Sequence, residues 1–260
     1  MNLDGLDIGI LGPALAAGLL VVATHVPLGQ QVLARGIVFI DLAIAQIAGL
    51  GVIAAYAFGW EAQGWQTQAA AGSAAVLGAL LLTWTDKRWP DIQEALIGVL
   101  FVLAACAALL LLNNNPHGGE HLKDLLVGQI LWVLPHDLIP VAVLYAVVIA
   151  LWFGLRARLG RVGFYLLFAL TVTASVQLVG VYLVFATLII PALATRQRDG
   201  RARLWMGYGV GASGYALGLA LSALFDLPSG AVIVWTLAGL ALVSGLFTVG
   251  SRASIPRVSQ

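Results

Sequence analysis

The stretch from Val162 to Thr195, VGFYLLFALTVTASVQLVGVYLVFATLIIPALAT, contains no charged residue over 34 positions and decides the fold. It is too long for one membrane-spanning helix, which needs about 20 apolar residues. Arginines flank it on both sides, and Lys and Arg collect on the cytoplasmic side of membrane proteins, so the stretch has to cross an even number of times. We predict two segments that break near Gly180, the second one short and containing Pro191. Such short helices are tolerated at membrane depth only where protein or a cavity surrounds them.

The positive charges elsewhere in the chain repeat this pattern. Twelve of the thirteen Lys and Arg residues lie on alternate sides of long uncharged stretches, and only Lys123 departs from the pattern. The twelve are Arg35, Lys87, Arg88, Arg156, Arg158, Arg161, Arg196, Arg198, Arg201, Arg203, Arg252 and Arg257. With all twelve in the cytoplasm, the sequence predicts a polytopic inner-membrane protein with its N-terminus outside and its C-terminus inside. The first apolar stretch lacks a positive n-region, so we do not expect a cleavable signal peptide.

Seven further stretches are apolar enough to cross the membrane, in a chain that is 61% hydrophobic and only 10% charged. They are Ile8–Leu28, Gly36–Gly59, Thr67–Thr85, Ala95–Leu112, Leu138–Leu155, Leu204–Phe225 and Ala231–Ser251. Together with the two segments around Gly180 they predict an all-α polytopic fold of nine transmembrane segments, or eight if the short one is re-entrant. We assign residues 1–260 to a single transmembrane domain. Glycines at four-residue spacing in span eight fit either packing within the chain or a subunit contact.

The outer loop after span four is the most polar part of the chain. Residues 122–134 follow it as an amphipathic piece that Pro135 ends, and we predict a half-helix dipping from the outer face because a dozen residues cannot span. Imidazole and carboxylate groups that suit zinc, manganese or iron collect here. They are His117, Glu120, His121, His136 and Asp137. A metal funnel and a solvated loop that contacts a partner protein both fit this cluster.

Ionisable side chains inside the predicted spans are rare, and the chain contains no P-loop, nucleophile elbow or HExxH motif. We therefore predict no enzyme activity, so ATP hydrolysis would belong to a separate subunit. The single cysteine, Cys106, excludes a disulfide framework. Asp41 in span two is either a carboxylate of a transport path or a residue that caps the start of its helix. Gln46 lies five positions further on, about 140° away around a helix.

Four stretches together resemble the permease subunits of zinc and manganese ABC importers. They are RGIVFIDLAIAQIAGLGV (Arg35–Val52), LLVGQILWVLPHDL (Leu125–Leu138), ALTVTASVQLVGVYLVFATLIIPALATR (Ala169–Arg196) and SALFDLPSG (Ser222–Gly230). The resemblance implies a small type II ABC importer permease that works as a homodimer by alternating access, with cytoplasmic ATPase subunits and an extracytoplasmic metal-binding protein. It implies no tightly bound cofactor and a transported divalent metal, zinc first, with manganese or iron as alternatives.

The chain departs from the family pattern at several positions. The family has an Asp four residues before a His in its second helix, where this chain has Leu42 and Gln46, and its second His falls near Val102. With these ligands lost, three alternatives stay open: the metal crosses with little direct coordination, or the substrate differs, or other residues substitute. In the last case the resemblance implies a translocation path through Asp41, Gln46, Gln129 and Gln177. The inner loop of the family, expected to dock on the ATPase, is reduced to residues 156–162. Coupling to the ATPase then falls to Arg156, Arg158, Arg161 and Arg198.

Two other functions remain compatible with the residues themselves. A stand-alone secondary transporter or channel would use the broken segment at Gly180 as its binding region. A non-transport membrane protein that assembles partners would use the Gly-rich face of span eight instead.

Overall fold

The chain forms a bundle of membrane-length helices around one buried core. The computed structural model describes residues 7–60, 64–112 and 126–253 and contains no strand within them. Its helical stretches are Ile8–Arg35 (α1), Ile40–Ala57 (α2), Trp65–Arg88 (α3), Gln93–Leu112 (α4), Pro135–Val179, Val181–Ala194 (α7), Gly200–Phe225 (α8) and Ser229–Ala253 (α9). Six helices in the described residues are long and apolar enough to cross a membrane, and three shorter ones are apolar. The predicted all-α fold is confirmed.

The long stretch Pro135–Val179 is divided by Gly160, whose backbone angles (φ 57°, ψ −160°) are not helical. We call the two parts α5 (135–159) and α6 (161–179). The region of φ and ψ that Gly160 occupies is open almost only to glycine, which lets the chain turn without a loop. The prediction of a short inner loop at residues 156–162 is therefore wrong, because these residues are helical on both sides of Gly160. Most of α6 is buried, whereas α5 is mainly exposed.

The predicted break near Gly180 is confirmed. Gly180 lies between α6 and α7 with φ 81° and ψ 162°. With 14 residues, α7 is about 21 Å long, shorter than a bilayer core of about 30 Å, and most of its side chains are buried. Its carbonyl at Leu188 lies so close to Gly29 of α1 that a Cβ there would be 2.0 Å from the oxygen. Most of α7 is therefore surrounded by protein. Helices too short to span the bilayer are tolerated within it only in such surroundings.

Helix α1 passes through Pro27 and continues to Arg35, so the predicted end of span one at Leu28 is wrong. A proline inside a helix leaves the carbonyl four residues earlier without its N–H donor. Here the Tyr208 hydroxyl of α8 donates to the Ala23 carbonyl over 3.1 Å and replaces the missing bond. The helix ends at Gly36, which adopts the left-handed conformation (φ 70°) typical of a helix C-cap.

The segment before α5 also differs from the prediction. Within its described part, Leu126 and Val127 are helical, and the residues after them, up to Leu134, form irregular backbone with one short 3-10 turn, Ile130–Trp132. Pro135 begins a helix instead of ending one, because the first turn of a helix needs no N–H from its leading residue. The Leu134 N–H donates to the Asp137 carboxylate over 3.1 Å and closes this helix start.

The glycines of α8 pack within the chain. A Cβ on Gly207 or Gly211 would lie within 2.8 Å of Val26 or Val22 of α1, and a Cβ on Gly218 would lie 2.6 Å from Ile233 of α9. These positions support the first of the two interpretations left open for span eight, close helix packing inside one chain.

Two groups of helices result from these contacts. Helices α2, α3 and α4 pack together, α1, α7, α8 and α9 pack together, and the stretch Pro135–Val179 contacts members of both. The cytoplasmic end predicted from charge is a single end of this bundle. There, the Arg161 guanidinium contacts Asp86 over 3.2 Å, and Arg35 lies 4.1 Å over the ring of Phe164.

Candidate functional site

A cavity of about 960 Å³ opens between the two helix groups. One wall comes from α2 and α4 and the other from α7 and the start of α9, and Leu126 and Val127 border it. The wall of α7 follows directly from the Gly180 break, since the helix that restarts at Val181 presents its first two turns to the cavity.

Apolar side chains make nearly all of the cavity surface. Gln46 of α2 contributes the one side-chain amide of the lining, and Tyr182 contributes a hydroxyl. Among the described residues, the lining includes no Asp, Glu, His, Cys, Lys or Arg. Aromatic rings come from Phe101, Tyr182, Phe185 and Trp235.

A smaller recess of about 200 Å³ adjoins the cavity on the side away from the basic end. It shares Val127, Pro228 and Gly230 with the larger cavity, so the two spaces are neighbours along one border. Gln129 lines this recess and is exposed. The structure thus brings the predicted path residues Gln46 and Gln129 to adjoining spaces.

The segment between Leu126 and Leu134, called the outer segment here, contacts the α6–α7 break through backbone atoms with no side chain between them. A Cβ on Gly128 would lie 2.2 Å from the carbonyl carbon of Val179, and one on Gly180 would lie 2.3 Å from the nitrogen of Gly128. Both glycines have positive φ, of 70° and 81°. Since α7 covers only about 21 Å between this contact and the basic end, the outer segment dips into the membrane at this point.

Asp41 does not belong to the cavity lining. It is fully buried in the first turn of α2, and neither of its carboxylate oxygens has a hydrogen-bond partner among the described residues. The interpretation of Asp41 as a capping residue is therefore wrong. Glu94 of α4 binds the N-terminal end of α2 instead, because its carboxylate accepts a hydrogen bond from the N–H of Phe39 over 3.2 Å.

Gln177 lies away from both spaces. It is exposed on α6 near the Gly180 break, and its amide donates to the Thr173 carbonyl of its own helix over 3.4 Å. Its place in a translocation path remains a prediction.

The predicted outer ligands divide into two sets. His117, Glu120 and His121 lie outside the described residues. His136 and Asp137 are both exposed in the first turn of α5, with 3.4 Å between the His136 Nε2 and the Asp137 Oδ1. In the part of the chain that the structure describes, no three His, Cys, Asp or Glu residues group closely enough to hold a metal.

The predicted coupling residues lie at the basic end. Arg158 is exposed near the end of α5 and Arg198 is exposed in the turn between α7 and α8. Arg161 is only partly free, because its guanidinium donates to the Asp86 carboxylate and carbonyl. Arg156 lies in α5, and its side chain is outside the described part of the structure.

The model of the ABC 3 transport family matches residues 7–160 and 150–248, which together cover most of the chain. The chain belongs to the ABC 3 transport family. It is therefore a multi-pass permease subunit of an ABC transporter, a transport component without enzymatic activity of its own, and the family inferred from the sequence is confirmed.

Curated relatives in the ABC 3 family match over most of their length. The chain is 25% identical to the manganese transport system membrane protein MntC of Halalkalibacterium halodurans, over 94% of this chain and 89% of that one. It is 29% identical to the chelated iron transport system membrane protein YfeC of Yersinia pestis, over 76% of this chain and 72% of that one.

A solved structure shows the same fold. PsaBC from Streptococcus pneumoniae, determined in complex with a Fab, matches with a TM-score of 0.74 at 21% identity, over 93% of each chain.

Sequence reasoning missed the aromatic lining of the cavity in this ABC 3 chain. Tyr182 and Phe185 follow the Gly180 break closely, so the predicted break itself was the available signal for them. Phe101 and Trp235 come from distant helices, and only the packing of α4 and α9 around the cavity brings them to the same space.

Proposed function

We propose that this chain is the membrane permease of an ABC importer for a transition metal, driven by partner ATPase subunits. The family match carries this proposal, because it spans the chain from before α1 into α9. Relatives named for manganese and iron transport favour those two metals. Zinc, which the resemblance ranked first, is kept as the third candidate.

The cavity and the adjoining recess are the proposed route. Substrate released at the outer face would meet Gln129 in the recess and then Gln46 in the larger cavity, which share a border at Val127. The backbone contact between Gly128 and Gly180 is the proposed outer closure. Alternating access would separate the two helix groups at this closure and reseal them at the basic end.

The basic end is the proposed contact with the ATPase subunits. Exposed Arg158 and Arg198, together with Arg156 and the partly paired Arg161, concentrate positive charge there. This placement requires the orientation predicted from charge, with the N-terminus outside and the C-terminus in the cytoplasm.

Two further partners belong to the proposal. An extracytoplasmic metal-binding protein would dock on the outer loops, near His136, Asp137 and the residues His117, Glu120 and His121. A second copy of the chain would complete a homodimeric permease, the arrangement implied by the resemblance.

The decisive experiment is metal accumulation in a deletion strain grown with manganese, iron or zinc made limiting by chelators. We expect one metal to fall and to recover with the wild-type chain, but not with Gln46→Ala, and expect an ATPase subunit to copurify with both. Gln68→Ala serves as the matched control for loss of an amide, because Gln68 is exposed on α3 and lines neither the cavity nor the recess. Unchanged content of all three metals, with no copurifying ATPase, would exclude the importer function.

A further inference from the structure

The chemistry of the cavity lining does not suit a bare metal ion. Transition metals bind through imidazole, carboxylate or thiolate groups in proteins, and the lining residues within 7–60, 64–112 and 126–253 contribute none of them. Asp41 is not among the lining residues, and its carboxylate is buried in the first turn of α2 instead of facing the space. A dication there would exchange its hydration shell for hydrocarbon, one amide and one hydroxyl, which is strongly unfavourable at membrane depth.

The volume of the cavity also exceeds the needs of a hydrated ion. Six water molecules at about 30 Å³ each occupy roughly 180 Å³, whereas the cavity holds about 960 Å³. Spaces of this size, lined by apolar and aromatic groups with a few polar ones, are typical of sites for small organic molecules.

Four aromatic rings give the cavity a particular chemistry. Phe101 comes from α4, Tyr182 and Phe185 from α7, and Trp235 from α9, so rings come from both walls. Tyr182 and Trp235 remain 56% and 79% exposed, so their rings are available for contact. Offset stacking on such rings favours flat, unsaturated ligands.

From these three observations we propose that the metal crosses this cavity inside an uncharged chelate whose organic ligand carries flat, unsaturated rings. The rings of the ligand would stack on Tyr182 and Trp235, and its polar rim would hydrogen-bond to the Gln46 amide. The inference rests on the proposed transport function and narrows its substrate from a metal ion to a metal–ligand complex.

The test measures equilibrium binding of radiolabelled metal to the full-length chain with its copurifying subunits in nanodiscs. The probes are ferric tris-maltolate, an uncharged complex of flat rings kept intact by excess maltol, ferric citrate as an anionic complex, and manganese chloride as the free ion. We expect ferric tris-maltolate to bind about tenfold more tightly than either other probe.

Variants locate the binding. Tyr182→Ala and Trp235→Ala should each weaken maltolate binding severalfold, in line with the loss of one stacking contact. Trp65→Ala is the matched control, because Trp65 is 75% exposed but lies outside the cavity lining. Gln46→Glu should shift the preference towards the manganese ion by adding the missing carboxylate. Size-exclusion chromatography of each variant separates loss of binding from loss of fold.

Two results would overturn the inference. Manganese binding that is tighter than maltolate binding and is lost in Gln46→Ala would show a bare-ion site, with the importer function intact. Absence of maltolate binding, together with a changed oligomeric state of Trp235→Ala, would show that a second copy of the chain fills the cavity. Failure of the importer function itself would appear separately, as normal metal content in the deletion strain.

Discussion

Gly128 and Gly180 meet backbone to backbone, with no side chain between the outer segment and the start of α7. A Cβ on Gly180 would lie 2.3 Å from the nitrogen and 2.6 Å from the Cα of Gly128. Both positions also have positive φ, a conformation that residues with a Cβ adopt only with strain. The backbone conformation and the close packing therefore both require glycine at these two positions.

Replacement of Gly180 by alanine should lower stability more than conformational strain alone explains. Gly160 shares the conformation, with φ 57° and ψ −160° against 81° and 162°, but a Cβ there would have nothing within 4 Å. We expect Gly160→Ala to cost about 1–3 kcal/mol from strain, and Gly180→Ala to cost clearly more. Melting temperatures in detergent measure both. Equal losses of stability in the two variants would show that the Gly128 backbone can move away from the added Cβ at no cost in free energy.

The same comparison applies to Gly128. Gly36→Ala is its control, since both glycines have φ 70° and only Gly128 has a close neighbour. Gly128→Ala should abolish metal accumulation by forcing the closure apart, whereas Gly36→Ala should retain most of it. Full transport by Gly128→Ala would remove this contact from the gating mechanism.

Removal of the Asp41 charge should not destabilise the chain. A buried carboxylate without hydrogen bonds opposes folding by several kcal/mol, so we expect Asp41→Asn to melt at the same or a higher temperature than the wild type. Glu94→Ala is the contrasting variant. It removes a charge-assisted bond to Phe39 and should cost about 1 kcal/mol or more. A clear loss of stability in Asp41→Asn would indicate a partner for that carboxylate.

The contact between Arg161 and Asp86 should contribute little to stability. The Arg161 side chain is 54% exposed, and exposed ion pairs are worth about 0–1 kcal/mol. A double-mutant cycle of Arg161→Ala and Asp86→Ala should give a coupling energy in this range. ATPase activity stimulated by the permease should nevertheless fall in Arg161→Ala if that residue couples the subunits. A coupling energy of several kcal/mol would instead give the pair a structural role.

The Tyr215 hydroxyl should stabilise the contact between α7 and α8. Tyr215 is fully buried, and its hydroxyl lies 2.9 Å from the Thr187 Oγ1. Tyr215→Phe removes this bond and should cost about 0.5–1.5 kcal/mol. Tyr182→Phe, at an exposed position, should leave the melting temperature unchanged. A neutral effect of Tyr215→Phe would mean that Thr187, which also donates to the Leu183 carbonyl, needs no second partner.

Charge and hydropathy predicted the apolar segments and the break at Gly180, because the membrane imposes strong rules on both properties, whereas the family was inferred from the resemblance of four sequence stretches. Charge and hydropathy failed where one distant contact decides the local structure. Tyr208 carries α1 past Pro27 by supplying one hydrogen bond, and no local pattern could reveal that donor. Asp41 looked like a capping residue from its position, but Glu94, from another helix, performs the related task.

The candidate site was predictable only in part. Gln46 and Gln129 were identified through their place in family motifs, and the structure brings both to adjoining spaces. The aromatic lining depends on how α4, α7 and α9 converge, which periodicity within one helix does not encode. Metal-ligand chemistry pointed to charged residues, whereas the described lining of the cavity contains none.

At the basic end, three contacts tie neighbouring helices together. Arg35 lies on Phe164, Arg161 bonds to Asp86, and the Gln30 side chain of α1 donates to the Arg203 carbonyl of α8 over 3.0 Å. Together these contacts connect the ends of α1, α3, α6 and α8. If an ATPase subunit moved any one of these helices during its nucleotide cycle, the contacts would pass the movement to both helix groups. The cytoplasmic ends would then move together instead of one turn shifting alone.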